Sequence, residues 1–265
     1  MKNYDEAVAA LLSMFAKQDF PQQVAWSIIH RDPAEPSIPS DGWSVCNRLI
    51  MRFVGNTDDA RTYLQWQSVG RNVTKGAKAF YIFAPIVKKE VDEKSGKETK
   101  ELRGFRTLPV FAYENTTGEA IAKPDYQPIK LPPLTSVAEA LGITVYWKPI
   151  DKSRSALGYY RPADKSITLY VKDSAVFYHE LGHAVHDTFE PMHTVDGNYA
   201  EVVAELVSAV LCVMNGEKGY EQQSWEYLQR FTATKDDKAT LKAITNVLNT
   251  VEKIINIITT TANKL

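Results

Sequence analysis

The sequence has only two cysteines, almost no net charge and no long apolar run. Cys46 and Cys212 stand far apart, which excludes the disulfide framework typical of small secreted domains. The formal net charge of -1 excludes a general attraction of the whole chain to nucleic acid or to acidic lipid. No stretch approaches the eighteen apolar residues of a membrane span, and no signal peptide is recognisable. We therefore expect a cytoplasmic protein with no membrane partner.

The composition is that of an ordinary globular protein, and one proline-rich segment divides it. With 44% hydrophobic and 24% charged residues in 265, one or two domains are expected. Residues 122–134 contain four prolines in thirteen positions, and proline stiffens its own backbone and that of its predecessor. We predict a first domain over residues 1–121, a linker over 122–134 and a second domain over 135–265.

The periodicity of apolar residues predicts an α+β fold in both domains. In the first domain we predict a β-hairpin, and in the second a small sheet packed on helices. The predicted helices cover residues 4–17, 45–53, 58–65, 136–141, 175–186, 198–212, 218–231 and 236–258. The predicted strands cover residues 79–88, 105–113, 144–147 and 167–171.

The histidines are few but clustered, and two of them form a metal-binding motif. Four of the five histidines lie within fifteen residues. His179 and His183 are four apart on a predicted helix, so both rings face the same side. Glu180 lies beside them and can take a proton from a metal-bound water. This H-E-x-x-H pattern is typical of metal-dependent peptidases, and we predict one Zn²⁺ per chain, although another divalent metal would fit.

A catalytic zinc site requires a third protein ligand. Glu201 and Glu205 are four residues apart on an otherwise apolar predicted helix, and buried carboxylates need a metal or a hydrogen-bonded partner. We predict Glu201 as the ligand and Glu205 as the residue that orients His179. His193 is the alternative ligand, while His186 would be crowded by the first two histidines. The alternative is that both carboxylates are solvent-exposed on an amphipathic helix and have no role at a metal.

The predicted reaction is hydrolysis of an amide bond in a peptide or protein. Glu180 would act as general base and then pass its proton to the leaving amine. Tyr159, Tyr160, Tyr199 and His193 are conceivable donors to the oxyanion, and the sequence does not choose between them. A free strand edge between residues 156 and 171 could pair with an extended substrate.

Basic residues are concentrated in one part of the first domain. Residues 42–88 carry seven basic side chains against Asp58 and Asp59, with aromatic residues interleaved. Cations for phosphates and aromatic faces for bases are what binders of single-stranded DNA need. Aromatic side chains at these spacings are also common in a core. The basic residues are Arg48, Arg52, Arg61, Arg71, Lys75, Lys78 and Lys88, and the nearby aromatic candidates are Tyr63 and Trp66.

Several segments resemble the ArdC antirestriction family of plasmids and other mobile elements. They are residues 66–80 (WQSVGRNVTKGAKAF), 105–113 (FRTLPVFAY), 158–160 (GYY), 167–169 (ITL), 178–183 (YHELGH) and 199–206 (YAEVVAEL). The resemblance covers most of the chain in the same order. It implies an N-terminal domain that binds single-stranded DNA and a C-terminal zincin-like metallopeptidase domain.

The resemblance also implies roles for matched residues. The metal ligands and the general base would be those named above, and Arg71, Lys75 and Lys78 would be candidate phosphate contacts. Two alternatives stay open. The chain could be a DNA-binding protective protein whose metal is structural, or a regulatory metalloprotease similar to the ImmA group, whose first half recognises protein.

Overall fold

The structure is a computed structural model. It describes residues 2–15, 20–28, 37–91, 98–122, 124, 134–148, 156–217, 230–231 and 237–265. The chain forms two compact units: Met1–Ser13 with Pro33–Asp125, and Met14–Asp32 with Tyr126–Leu265. Most of the predicted linker and most of the predicted helix over residues 218–231 lie outside the described residues.

Helices and strands are mixed throughout, which confirms the α+β fold class. The helices are α1 (Lys2–Phe15), α2 (Phe20–Ile28), α3 (Val45–Phe53), α4 (Tyr63–Ser68), α5 (Leu134–Ala140), α6 (Ser174–Asp187), α7 (Gly197–Met214) and α8 (Asp237–Ala262). The strands are β1 (Ala60–Arg61), β2 (Arg71–Val73), β3 (Phe80–Val91), β4 (Glu98–Ala112), β5 (Thr116–Gly118), β6 (Thr144–Trp147), β7 (Gly158–Arg161) and β8 (Ser166–Leu169).

The first unit is built around a long antiparallel hairpin of β3 and β4. Its register runs from Phe80 opposite Val110 to Val91 opposite Glu98, with an irregularity after Ile86. β1 extends this sheet beside β4, and β2 pairs separately with β5. The side chain of Asn47 in α3 continues the ladder, because its amide donates to the Phe83 carbonyl and accepts from the Phe83 N–H.

The second unit packs a three-stranded sheet on helices. The strand order is β6-β8-β7, with β6 parallel and β7 antiparallel to the central strand. α6 packs on β7 and β8, and it also contacts α7 and α8. Asp173 caps α6 by accepting from the Ala175 N–H at 2.8 Å, and Asp196 caps α7 by accepting from the Tyr199 N–H at 3.0 Å. These caps fix where both helices of the predicted metal site begin.

α6 and α7 approach each other closely at Gly182. A Cβ atom on Gly182 would lie 3.3 Å from both the Ala204 Cα and the Val207 Cβ. The same interface is linked by Ser208, whose hydroxyl donates to the Ala175 carbonyl at 2.9 Å. The glycine between the two histidines therefore brings the α7 backbone within reach of the histidine face of α6.

α7 is long and apolar enough, by length and composition alone, to cross a membrane. However, 67% of it is buried inside the protein, against α2, α6 and α8. The core helix of a folded domain has the same composition, so this feature is weak evidence of a membrane span.

The structure differs from the prediction at two helices and adds the short strands β2 and β5. Residues 20–28 form α2, which is not among the predicted helices. Phe20, Val24 and Ile28 are buried, and α2 belongs to the second unit. The predicted helix over 58–65 is replaced by β1 and the later α4. Thr62 and Gln65 form a capping box, which starts α4 at Tyr63.

Candidate metal centre

Three side chains of α6 and α7 converge on one point. The ligand atoms of His179, His183 and Glu201 all lie within 4.8 Å of one another. The two histidines are one helical turn apart on α6, and Glu201 projects from the first turns of α7. The described residues thus bring together the three ligands predicted from the sequence.

The distances between these atoms fit one ion at their centre. The Nε2 atoms of His179 and His183 are 3.1 Å apart, and the Glu201 carboxylate oxygens lie 3.4 Å from His179 Nε2 and 3.5 Å from His183 Nε2. Ligand atoms at tetrahedral angles around a zinc-sized ion are about 3.3–3.5 Å apart. Two imidazoles and a carboxylate are also suitable ligands for several divalent metals. The donor set therefore fits a divalent metal ion.

Glu205 lies behind His179, one turn along α7 from Glu201. Its Oε1 is 3.3 Å from His179 Nδ1, and its side chain is only 12% exposed. A carboxylate in this position accepts a hydrogen bond from Nδ1–H, which keeps the proton on Nδ1 and leaves the Nε2 lone pair directed at the cluster. The geometry is the one that the predicted orienting role requires.

The charges of the cluster favour a cation. Burial alone would lower the pKa of His179, but hydrogen bonds to Glu201 and Glu205 outweigh it and raise this pKa to about 10. Hydrogen bonds from His179 and His183 hold the pKa of Glu201 well below its usual range. The carboxylates therefore stabilise positive charge at this point, whether a proton or a metal ion carries it.

Glu180 lines a cavity beside the cluster. The cavity is about 410 Å³ and is bordered by the three ligands and by β7. Burial raises the pKa of Glu180, while the neighbouring imidazoles and a hydrogen bond from the Tyr160 backbone act in the opposite direction. A carboxylate whose pKa is raised is a stronger proton acceptor, as a general base requires.

The other two histidines are held elsewhere. His186 is fully buried, and its Nε2 is 3.1 Å from the Glu190 carboxylate. His193 lies on the exposed turn Met192–Thr194. Neither belongs to the cluster, so the reserve assignment of His193 as a ligand has no geometric support among the described residues.

The tyrosines proposed as oxyanion donors are separated by the structure. Tyr159 and Tyr160 line the 410 Å³ cavity, and the Tyr160 hydroxyl donates to Asp187 Oδ2 at 2.8 Å. The Tyr199 hydroxyl is 2.8 Å from the Thr250 hydroxyl on α8. Tyr199 therefore serves the α7–α8 contact, and the Tyr159 side chain is hydrogen-bonded to Thr168 and Tyr170.

Two of the predicted DNA contacts are corrected by the structure. Trp66 is 0% exposed, and its indole N–H donates to the Phe111 carbonyl at 2.9 Å. Arg71 is buried; its Nε donates to the Thr116 hydroxyl at 2.8 Å, and its guanidinium lies 4.2 Å from the Tyr113 ring centre. Both side chains hold the core of the first unit and do not face a ligand.

The basic excess of residues 42–88 is also mostly internal. Arg48 and Arg61 are buried, Arg61 is paired with Asp59 at 2.7 Å, and Arg52 is paired with Asp58 at 3.2 Å. Three of the predicted DNA contacts keep exposed side chains, namely Tyr63, Lys75 and Lys78. Leu64, next to Tyr63 in the sequence, is 73% exposed.

The Asp187 carboxylate and the Tyr160 backbone have roles near the metal cluster that were not predicted from the sequence. Asp187 accepts a hydrogen bond from the Tyr160 hydroxyl, and the Tyr160 backbone is hydrogen-bonded to Glu180. Asp187 also accepts from the Met192 N–H at 2.8 Å. The only signal for Asp187 was its position four residues after His183, on the same helix face.

Comparison with known proteins shows the fold. No protein-family model and no curated protein matches the sequence. The crystal structure of the antirestriction ArdC protein from plasmid R388 in its metal-free form is similar, with a TM-score of 0.59 and 17% identity over 98% of this chain and 97% of that one. Its Mn(II)-bound structure also has a TM-score of 0.59, with 18% identity over 92% of this chain and 98% of that one. This chain therefore has an ArdC-type fold, as its motifs indicated.

Proposed function

We propose that this chain is an antirestriction-type protein of a mobile element, which binds single-stranded DNA and carries a zinc-dependent peptidase domain. The observation that carries the peptidase assignment is the convergence of His179, His183 and Glu201 beside Glu180. The similarity to the ArdC fold over nearly the whole chain supports the antirestriction role. The proposed site of action is the cytoplasm.

The openness of the cluster favours catalysis over a structural metal. Structural zinc sites have four protein ligands and are closed, whereas catalytic sites keep one position for water. Here three ligands are found among the described residues, and they border a cavity of about 410 Å³. The Glu201 side chain is 47% exposed, so solvent reaches the ligand set. These features argue against the alternative in which the metal only holds the domain together.

Each side chain of the site has a separate role in the proposed reaction. A bound zinc ion would supply a polarised carbonyl and a water with a lowered pKa. Glu180, at the wall of the cavity, would hold and transfer a proton at its carboxylate, as general base and then as donor to the leaving amine, for which its raised pKa is suited. Glu205 holds His179 in the required tautomer.

The substrate would lie along β7. This strand is at the edge of the sheet, since β8 pairs with it on one side only, and Gly158, Tyr159 and Tyr160 border the cavity. An extended peptide can add to such an edge through backbone hydrogen bonds. Glu201 also lines a larger cavity of about 830 Å³ with Val202 and Phe231, which offers room for a substrate side chain.

Single-stranded DNA binding is assigned to the exposed residues of the first unit. Tyr63 and Leu64 present an aromatic and an apolar surface that are 48% and 73% exposed. Lys75 and Lys78 lie on the exposed turn after β2. Bases can stack on the tyrosine while the lysines contact phosphates. This smaller set replaces the seven basic residues considered from the sequence.

A cleavage assay tests the peptidase proposal. The zinc-loaded full chain and its Glu180→Gln variant are incubated with a library of unstructured peptides, and products are identified by mass spectrometry. We expect new termini with the wild type and a loss of about 100-fold or more in rate with the variant, because the general base is removed. Equal zinc content in both proteins is the control. Equal cleavage by both proteins would refute the role of Glu180, and a fully zinc-loaded wild type that cuts nothing would favour the structural alternative.

A salt titration tests the DNA proposal. The affinity of the full chain for a labelled oligothymidine is measured at several salt concentrations, for the wild type and for a Lys75→Glu/Lys78→Glu variant. Each phosphate contact contributes about 0.7 to the slope of log K against log salt for a single strand. We expect the slope to fall by about 1.4 when both lysines are replaced. Identical slopes would reject these contacts, and absence of any binding would favour the regulatory protease alternative.

A further inference from the structure

One face of the sheet in the second unit carries a group of tyrosines. Tyr146 of β6 and Tyr159 of β7 are both in register with Thr168 of the central strand. Residues in register on neighbouring strands project to the same face of a sheet. Tyr170 follows Thr168 by two positions, and its ring centre is 6.2 Å from that of Tyr159. We call Tyr146, Tyr159, Thr168 and Tyr170 the tyrosine face.

The tyrosine face is the side of the sheet opposite α6, since the Cβ direction of Gly158, in register with Leu169, meets Val176 of α6; its central residue Thr168 is itself buried. The alternate residues Ile167 and Leu169 are 0% exposed, and α6 packs on the same strands. Tyr146, in contrast, is 47% exposed, and Tyr159 and Tyr170 are half-buried. A contiguous group of aromatic side chains at a surface marks an interaction site more often than a single exposed ring does.

Positive charge surrounds this face. Residues 144–148 and 156–173 carry four cations, Lys148, Arg161, Lys165 and Lys172, against Asp164 and Asp173. All four cations are exposed. Arg161 and Asp164 form an ion pair and Asp173 caps α6, so the net positive charge is carried by the three lysines.

The cations are close to the rings. The pKa of Tyr159 is lowered chiefly by a hydrogen bond with the Thr168 side chain and further by the charges of Lys148 and Arg161. The pKa of Arg161 is raised chiefly by its hydrogen bond and charge interaction with Asp164, and further by Tyr159 and Tyr146. Arg161 therefore lies on the tyrosine face, as its register with Ser166 requires.

We propose that the tyrosine face is a second surface for single-stranded DNA, carried by the peptidase unit itself. Bases would stack on the rings of Tyr146 and Tyr170, and phosphates would contact the lysines at the strand ends. An extended peptide would instead use the backbone edge of β7 and has no need of flat rings on the sheet. The inference rests on the proposed DNA-binding function and places part of it outside the first unit.

Photo-crosslinking of the full chain tests this surface directly. A single-stranded oligonucleotide containing 5-iodouracil is bound, irradiated and digested, and the crosslinked peptides are mapped by mass spectrometry. We expect crosslinks at Tyr146 or Tyr170 in addition to those within residues 37–122. Crosslinks confined to residues 37–122 would overturn the inference and leave the proposed function standing. A chain that binds no oligonucleotide would overturn both.

A substitution series measures the contribution of one ring. Affinity for the oligonucleotide is measured in a Lys75→Glu/Lys78→Glu background, so that the remaining binding reports on the second unit. Tyr146→Ala is expected to weaken this binding about 5-fold or more, because stacking of one base is lost, and Tyr146→Phe is expected to retain it. The matched control is Trp147→Ala, on the same strand and 53% exposed, with its side chain on the opposite face. Equal effects of Tyr146→Ala and Trp147→Ala, or no residual binding in the background, would overturn the inference.

Discussion

The hydrogen bond between Glu205 and His179 gives the sharpest prediction about the metal site. Glu205 Oε1 lies 3.3 Å from His179 Nδ1 and is nearly enclosed, with 12% of its side chain exposed. Replacing Glu205 by alanine removes the acceptor that fixes the tautomer and the ring orientation of His179. The three ligand side chains themselves are unchanged by this substitution.

The expected size of the effect follows from the role of such partners in other metal sites. Loss of the hydrogen-bonded partner of a ligating histidine weakens metal binding by about 10- to 100-fold, which corresponds to about 1.4–2.8 kcal/mol. We expect Glu205→Ala to lose zinc affinity near the upper end of this range, because the negative charge and the acceptor are both lost. Glu205→Gln keeps an acceptor oxygen, so its loss of affinity should be near the lower end of the range.

The measurement is a competition between the protein and a chromogenic chelator for zinc. The matched control is Glu190→Ala, which removes the carboxylate 3.1 Å from His186 on the same helix α6 and should leave the zinc affinity unchanged. The reasoning is refuted if Glu205→Ala binds zinc as tightly as the wild type. It is equally refuted if Glu190→Ala weakens zinc binding as much, since a general loosening of α6 would then explain both results.

Three further predictions concern packing and the cavity. Gly182→Val should destabilise the protein by about 1–3 kcal/mol in urea unfolding, because it inserts methyl groups where even a Cβ would contact α7 at 3.3 Å; an unchanged midpoint would contradict this packing. Trp66→Ala should lower the free energy of unfolding by about 3–5 kcal/mol, and a stable variant with lost DNA affinity would restore Trp66 as a DNA contact. Tyr160→Phe removes only the hydroxyl bound to Asp187 and should reduce peptide cleavage by less than about tenfold; a loss of 100-fold or more would make Tyr160 the oxyanion donor.

The geometry of the metal cluster could be predicted because it depends on local periodicity. Residues four apart on a helix share a face, so His179 with His183, and Glu201 with Glu205, were paired by spacing alone. The choice of Glu201 over His193 needed one further argument, that carboxylates on an apolar helix require a partner. The distance between the two helices was not predictable, since it depends on close contact at Gly182.

The environment of the basic residues could not be predicted, because it depends on distant strands. Trp66 is bound by Phe111 and Arg71 by Thr116, each 45 residues away in sequence. Arg61, in contrast, is bound by Asp59, only two residues away. A local excess of positive charge therefore did not correspond to a positive surface.

That residues 14–32 belong to the second unit could not be predicted either, because it also depends on contacts between residues far apart in the sequence. The segment before Trp43 contains prolines and polar residues, which favoured a loop. Its apolar residues Phe20, Val24 and Ile28 become fully buried where α2 packs on α7, nearly 180 positions later in the sequence. The sequence of one short helix does not indicate which distant helix it packs against.

The most direct test of this account is an anomalous difference map from crystals of the full chain grown with zinc. We predict one strong peak per chain, about 2.0–2.2 Å from the Nε2 atoms of His179 and His183 and from a Glu201 oxygen, with the same peak absent from a His183→Ala variant. A well-ordered site with no peak at saturating zinc, or a peak held by other residues, would contradict the proposal that these three side chains form the metal centre.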